Sequence, residues 1–113
     1  MELNIALIYD ALYRMGFKAD RTGFFYLSYS VYLCLLSPEA GMFSREWLYP
    51  KVGRHYRTQL PNIRRQVDRQ ISRAWRNSKK KMEEIAERPL EKCPNDMEII
   101  RYLYQFIVKT YGL

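Results

Sequence analysis

Residues 46–81 read EWLYPKVGRHYRTQLPNIRRQVDRQISRAWRNSKKK, and they carry the most distinctive pattern in the chain. In its second half apolar residues recur at steps of three and four, the spacing of one buried stripe on an α-helix. A shorter apolar pattern, Leu48, Val52 and Tyr56, precedes it, and only Arg57-Thr58-Gln59 separates the two. So few residues allow only a tight turn between packed helices. The stretch predicts a helix-turn-helix whose second helix buries Leu60, Ile63, Val67, Ile71, Ala74 and Trp75.

The other faces of this second helix carry arginine. Residues 45–81 hold twelve Lys or Arg against two acidic residues, a local net charge of +10, whereas the rest of the chain has seven basic and ten acidic residues. Such a basic block is typical of a polyanion-binding face, because each cation brought to a phosphate releases condensed counterions. A solvated charged helix is the simpler alternative. The coincidence with a helix-turn-helix favours nucleic acid, with Arg64, Arg65, Arg69, Arg73 and Arg76 on the exposed faces.

Length and periodicity predict an all-α fold for the whole chain. With 113 residues, 48% of them apolar, the chain is long enough for one core, so we predict a single domain over residues 1–113. About six helices are expected, the third and fourth forming the helix-turn-helix. They run from about Glu2 to Met15, Thr22 or Gly23 to Leu36, Phe43 to Arg57, Thr58 through Trp75, a short segment ending at Ala86, and Asn95 to about Lys109.

Local signals set several of these ends. Ser44 is a plausible N-cap of the third helix, because its hydroxyl can accept from a free amide of the first turn. Pro50 would kink a helix already under way, which moves the expected start toward Leu48 or Tyr49. Pro38 and Gly41 break the chain before it. Thr58 and Asn95 are the expected N-caps of the fourth and last helices.

The sequence lacks the patterns of an enzyme, a metal site or a membrane protein. His55 is the only histidine, and no cysteine or carboxylate stands at a metal-binding interval from it. No Gly-rich phosphate loop or catalytic triad motif occurs. No apolar run approaches the roughly 20 residues that span a bilayer, and the amino terminus does not resemble a signal peptide. We expect no enzymatic activity, no cofactor, no metal, no membrane partner and a cytoplasmic location.

The central motifs resemble those of the carboxy-terminal DNA-binding domain of the sporulation response regulator of spore-forming Firmicutes, stage-zero sporulation protein A. The family has a Leu-Tyr-Pro opening, a small residue, an aromatic, a threonine and a long helix closing on Ala-Trp. The likeness covers nearly the whole chain, and its central block is the specific part. The matching positions are Leu48-Tyr49-Pro50, Gly53, Tyr56, Thr58 and Ala74-Trp75, with Gly16 and Thr22 to Leu27 upstream and Pro94-Asn95 downstream.

The resemblance implies a six-helix domain whose fourth helix enters the major groove of DNA. Arg65 keeps a base-reading residue of the family, whereas Asn62, Arg64 and Asp68 have changed chemical type, which should alter the bases read. We expect base contacts from Asn62, Arg64, Arg65 and Asp68. We expect phosphate contacts from Arg54, His55, Arg57, Thr58, Arg69, Arg73, Lys79, Lys80 and Lys81.

The resulting hypothesis is a sequence-specific, double-stranded DNA-binding transcriptional regulator without the receiver domain of the full family regulator. Family likeness adds an RNA polymerase sigma factor or another regulator as a candidate partner, and a dimer on DNA. RNA is a less suitable ligand, because the major groove of A-form RNA is too deep and narrow for a helix. The alternative is a protein-interaction module, an adaptor or anti-repressor, that keeps the fold without reading an operator.

Overall fold

Five α-helices make up the computed structural model of the protein, which describes residues 4–37, 39 and 43–113. No β-strand occurs among these residues, so the all-α prediction is confirmed. The helices are α1 (Ile5–Arg14), α2 (Thr22–Leu36), α3 (Arg45–Tyr56), α4 (Leu60–Ala86) and α5 (Asp96–Tyr111).

The predicted fourth helix and the short helix after it form one element, α4. A kink divides it at Ser78, whose φ of −144° and ψ of 37° are not helical. The two segments predicted as separate helices are therefore both present, and they follow each other across the kink with no loop between them. Gly16, with φ +99°, follows the end of α1 as predicted, and a Cβ there would lie 2.4 Å from the Ser78 Cβ. The end of α1 thus packs directly against the kink.

Helix starts follow their caps. The predicted start of α1 at Glu2 lies outside the described residues; the helix begins at Ile5, where the Asn4 side chain accepts from the Ala6 amide at 2.9 Å. Ser44 caps α3 as predicted, accepting from the amide of Trp47 at 3.2 Å. The later start near Leu48 is wrong, because this cap holds the first turn.

Of the other two cap predictions, one is confirmed and one is wrong. Asn95 and Glu98 form the predicted capping box of α5, each side chain accepting from the other's backbone amide. The cap of α4 is not Thr58 but Gln59, which makes no side-chain capping bond. The break predicted at Pro38 and Gly41 lies outside the described residues.

One cluster of buried side chains joins all five helices, and α2 packs against each of the others. This confirms α2 as the centre of the core, as its nearly continuous apolar sequence predicts. Most of the predicted stripe on α4 is buried as well, but Leu60 is 46% exposed and Trp75 is only partly buried. None of the described helices is both long and apolar enough to cross a bilayer.

Candidate nucleic-acid interface

A three-residue turn joins α3 to α4. Arg57 adopts a left-handed conformation, φ 54° and ψ 52°, and the Thr58 amide donates to the Gly53 carbonyl at 3.0 Å. A Cβ on Gly53 would lie 2.8 Å from the Thr58 carbonyl oxygen, so only glycine allows this approach. The predicted helix-turn-helix arrangement is therefore set by a close backbone contact inside the motif itself. Pro61 in the first turn of α4 is tolerated, because amides there have no intrahelical partner.

The exposed face of α4 forms one wall of a groove of about 570 Å³. The arginines of α4 recur along it at steps of four, four and three residues, which keeps them on one helical face. We call this surface the arginine groove. It is lined by Arg21, Arg65, Gln66, Asp68, Arg69, Gln70, Ser72, Arg73 and Arg76.

Arg21 reaches the arginine groove from outside the helix-turn-helix. It is exposed and precedes the first residue of α2. A Cβ on Gly23 would lie 2.3 Å from the Gln66 carbonyl oxygen, so the start of α2 presses directly on α4 at this point. Sequence reasoning missed Arg21, because it lies 24 residues before the basic block and 44 before Arg65, and only the helix crossing brings it to the groove. Arg76 was recognised as exposed but not as part of a site.

The Arg65 side chain is exposed, and its guanidinium makes a hydrogen bond within the protein. One Nη of its guanidinium donates to the Asn62 Oδ1 at 2.7 Å. Asn62, which is partly buried, donates from Nδ2 to the Thr58 Oγ1 at 2.9 Å and to the Tyr26 hydroxyl at 3.3 Å. Asn62 and Arg65, two of the predicted base-reading residues, are thus in contact, and the partly buried Asn62 lies behind the exposed Arg65.

Arg64 lies to the side of the arginine groove and contacts two carboxylates. Its Nε is 3.4 Å from the Asp68 Oδ2 and 3.6 Å from the Asp96 Oδ2. Burial raises the pKa of Asp68, and the neighbouring Arg64 opposes that rise. The other two predicted base-reading residues are therefore paired with each other in the protein without DNA.

Asp96 is completely buried at the first position of α5. Arg45 donates to both of its oxygens, with the shortest contact 2.6 Å, and the Tyr49 hydroxyl donates at 2.7 Å. Burial alone would raise the pKa of Asp96, but these donors hold it below its usual value. We call Arg45, Tyr49, Arg64 and Asp96 the ionic anchor, since they tie α3 and α4 to the start of α5.

The residues expected to hold phosphates are spread along both helices of the motif. Arg73 pairs with Asp20 at 3.2 Å, and Lys79 lies 5.0 Å from the centre of the Trp75 ring. His55 stacks on Tyr29 with ring centres 4.1 Å apart. Among the described residues Arg69 and Arg76 have no ion pair. Arg54, Arg57, Lys80 and Lys81 are exposed, and Thr58 is partly buried.

Three further features lie outside the arginine groove. No group of three or more His, Cys, Asp or Glu among residues 4–37, 39 and 43–113 could hold a metal ion. Cys34 is buried, which raises its pKa to about 12 and keeps the thiol protonated. A second groove lies against Tyr9, Tyr29, Tyr32 and His55, on α1, α2 and α3.

The chain matches the model of a known family. The model of the family described as sporulation initiation factor Spo0A C terminal matches residues 8–111, which is nearly the whole chain. No curated protein matches it.

Proposed function

Because the chain belongs to the Spo0A C-terminal family, whose members are DNA-binding effector domains, we propose that it recognises specific sequences of double-stranded DNA as a cytoplasmic transcriptional regulator. The observation that carries the proposal is the arginine groove along α4. Among the described residues most of its cations have no carboxylate partner, and they lie on the helix that follows the turn of a helix-turn-helix. In this motif the second helix lies in the major groove with its first residues at base edges.

Arg65 is the base-reading residue that the geometry favours most. It lies in the second turn of α4, and only one of its five N–H donors is directed to Asn62. The others suffice for a bidentate contact to guanine O6 and N7, the commonest specific contact in the major groove. Arg64 and Asp68 are further candidates for base contacts, but the ion pair between them must break first.

Phosphates fit the two ends of this surface. At the near end the first turn of α4 has no side-chain cap, and the exposed Arg54 and Arg57 lie beside it. The positive end of the helix dipole favours anions there. Farther along, Arg69 and Arg76 supply charges that form no ion pair within the described part of the chain, and Arg21 supplies one from the start of α2. Such contacts hold the register of the protein on DNA and carry little sequence information.

The test is selection of randomised duplex DNA on the purified protein, followed by affinities for the winning sequence and a scrambled control at two salt concentrations. We expect a shared motif bound at least ~10³-fold more tightly than the control, with a steep salt dependence. Arg65→Ala combined with Arg69→Ala should abolish this binding. Arg14→Ala combined with Arg101→Ala removes the same charge outside the arginine groove and should leave the selected motif unchanged.

A second candidate function is a protein-interaction module. Tyr13 is 51% exposed and Ile5 38% exposed on α1, and exposed apolar residues on this helix are what such a role requires. Salt-sensitive binding without any selected motif would favour this candidate and overturn the proposal of operator recognition.

A further inference from the structure

The side-chain amide of Asn62 is fully used inside the protein. Its Nδ2 donates to the Thr58 Oγ1 at 2.9 Å and to the Tyr26 hydroxyl at 3.3 Å, which accounts for both amide hydrogens. Its Oδ1 accepts from Arg65 at 2.7 Å, and the Gln66 amide lies 3.5 Å away on the same oxygen. An asparagine side chain has two hydrogens and two lone pairs, so no hydrogen-bonding position is left over.

The orientation of this amide has only one solution. An arginine guanidinium can donate but cannot accept a hydrogen bond. The atom that faces Arg65 at 2.7 Å must therefore be the Asn62 oxygen, which turns the nitrogen toward Tyr26 and Thr58. Both hydroxyl oxygens can accept there. Every contact of the amide agrees with this orientation, and the reversed one would set a nitrogen against the guanidinium.

Direct recognition of a base would require Asn62 to abandon these contacts. An asparagine reads adenine by accepting from N6 and donating to N7 at the same time. Both atoms that would do so are already engaged, and Asn62 is partly buried behind the exposed Arg65. If Asn62 left, the buried Tyr26 hydroxyl would lose its hydrogen-bond donor, and the loss would cost free energy.

We propose that Asn62 is a positioning residue that aims Arg65 at a base, with Tyr26 and Thr58 holding Asn62 in place. This rests on the proposed function, since it concerns how the DNA site works. It revises the sequence-based expectation that Asn62 itself contacts a base. A long arginine side chain loses rotamer freedom on binding, and a guanidinium that is already oriented in the free protein loses less of it.

Tyr26 makes the proposal testable at a distance from DNA. Its ring is 5% exposed on α2, where it packs against Tyr56 with ring centres 5.3 Å apart. Tyr26→Phe removes only the hydroxyl. An effect of this variant on base preference must therefore pass through Asn62. Tyr32→Phe, which removes a hydroxyl elsewhere on α2, is the matched control.

The experiment measures base preferences at each position of the selected motif for the wild type, Asn62→Ala, Arg65→Ala, Tyr26→Phe, Tyr32→Phe and the Asn62→Ala/Arg65→Ala double variant. Asn62→Ala should reduce discrimination by roughly five- to tenfold at the same base pair that Arg65→Ala affects, and Tyr26→Phe by about two- to threefold. The double variant should lose no more than Arg65→Ala alone, because the residues act as one unit. Tyr32→Phe should match the wild type.

A second measurement tests the same inference on the protein without DNA. Relaxation of the Arg65 Nε–H group by NMR should show lower order in Asn62→Ala and in Tyr26→Phe than in the wild type and Tyr32→Phe. Thermal unfolding confirms that each variant is folded. Unchanged order of Arg65 in the folded variants would overturn the inference.

The two proposals fail in different ways. Loss of preference at a separate base pair in Asn62→Ala, or additive losses in the double variant, would show that Asn62 reads its own base and would overturn this inference alone. A wild-type protein that selects no motif would overturn the proposed function, and the inference with it.

Discussion

Arginine has opposite surroundings in two neighbouring regions of this molecule. In the ionic anchor, Arg45 surrounds the buried Asp96 with donors, and the cation and carboxylate neutralise each other. In the arginine groove, Arg69 and Arg76 face solvent without an ion pair among the described residues. The difference shows that arginine content alone does not define a binding surface. Carboxylates decide which arginines build the fold and which remain available to a polyanion.

The largest expected effect is a difference in stability between substitutions in the ionic anchor and in the arginine groove. Asp96→Asn removes the charge that three helices share, and we expect a loss of about 2–3 kcal/mol in the free energy of unfolding; Arg45 remains partly solvated, which limits the loss. Urea unfolding measures it. Arg69→Ala, in the arginine groove, should change stability by no more than about 0.5 kcal/mol. Equal losses of stability in Asp96→Asn and Arg69→Ala would contradict the distinction between the ionic anchor and the arginine groove.

The second prediction concerns affinity. Arg65→Ala should weaken binding to the selected sequence by about 1–3 kcal/mol and relax preference at one base pair, because a bidentate contact to guanine is lost. Its effect on random duplex should be much smaller. Competition binding with both duplexes measures this difference, and equal losses on the two would refute a base-reading role for Arg65.

The third prediction tests whether the arginine groove extends beyond the helix-turn-helix. Arg21→Ala should weaken binding to all sequences alike and lower the slope of log K against log salt concentration by about 0.9, the value for one lost phosphate contact. Arg101→Ala, an exposed arginine of α5 that lies over the Phe43 ring, is the matched control. An unchanged slope in Arg21→Ala would confine the DNA site to α3 and α4.

The smallest effect is a pH dependence confined to the ionic anchor. Because the folded-state pKa of Asp96 lies below its ordinary value of 3.8, its contribution to stability is complete above that pH and is lost as pH falls through the folded-state pKa. The stability difference between the wild type and Asp96→Asn should therefore narrow in acid. Urea midpoints from pH 6 to pH 2.5 measure it. A constant difference would show that Asp96 does not titrate as part of the anchor.

The sequence was sufficient wherever a property depends on near neighbours along the chain. The apolar stripe at Ile63, Val67 and Ile71 predicted the buried face of α4, since helical periodicity places such residues on one side whatever packs there. The capping box at Asn95 and the cap at Ser44 are equally local. Thr58 is not the cap of α4: Gln59 holds the N-cap position, and the Thr58 hydroxyl accepts from Asn62.

The ionic anchor and the completed arginine groove depend on the tertiary structure. Asp96 meets Arg45 across 51 residues, and Asp20 meets Arg73 across 53. Periodicity showed that the arginines of α4 are exposed, but not which of them a distant carboxylate would neutralise. Local patterns along the chain thus predicted the helices, their buried faces and the charge of α4. The packing of α2 and α5 on α4 decided which charges remain open and which side chain aims Arg65, because those contacts join residues that only the fold brings within a few ångströms.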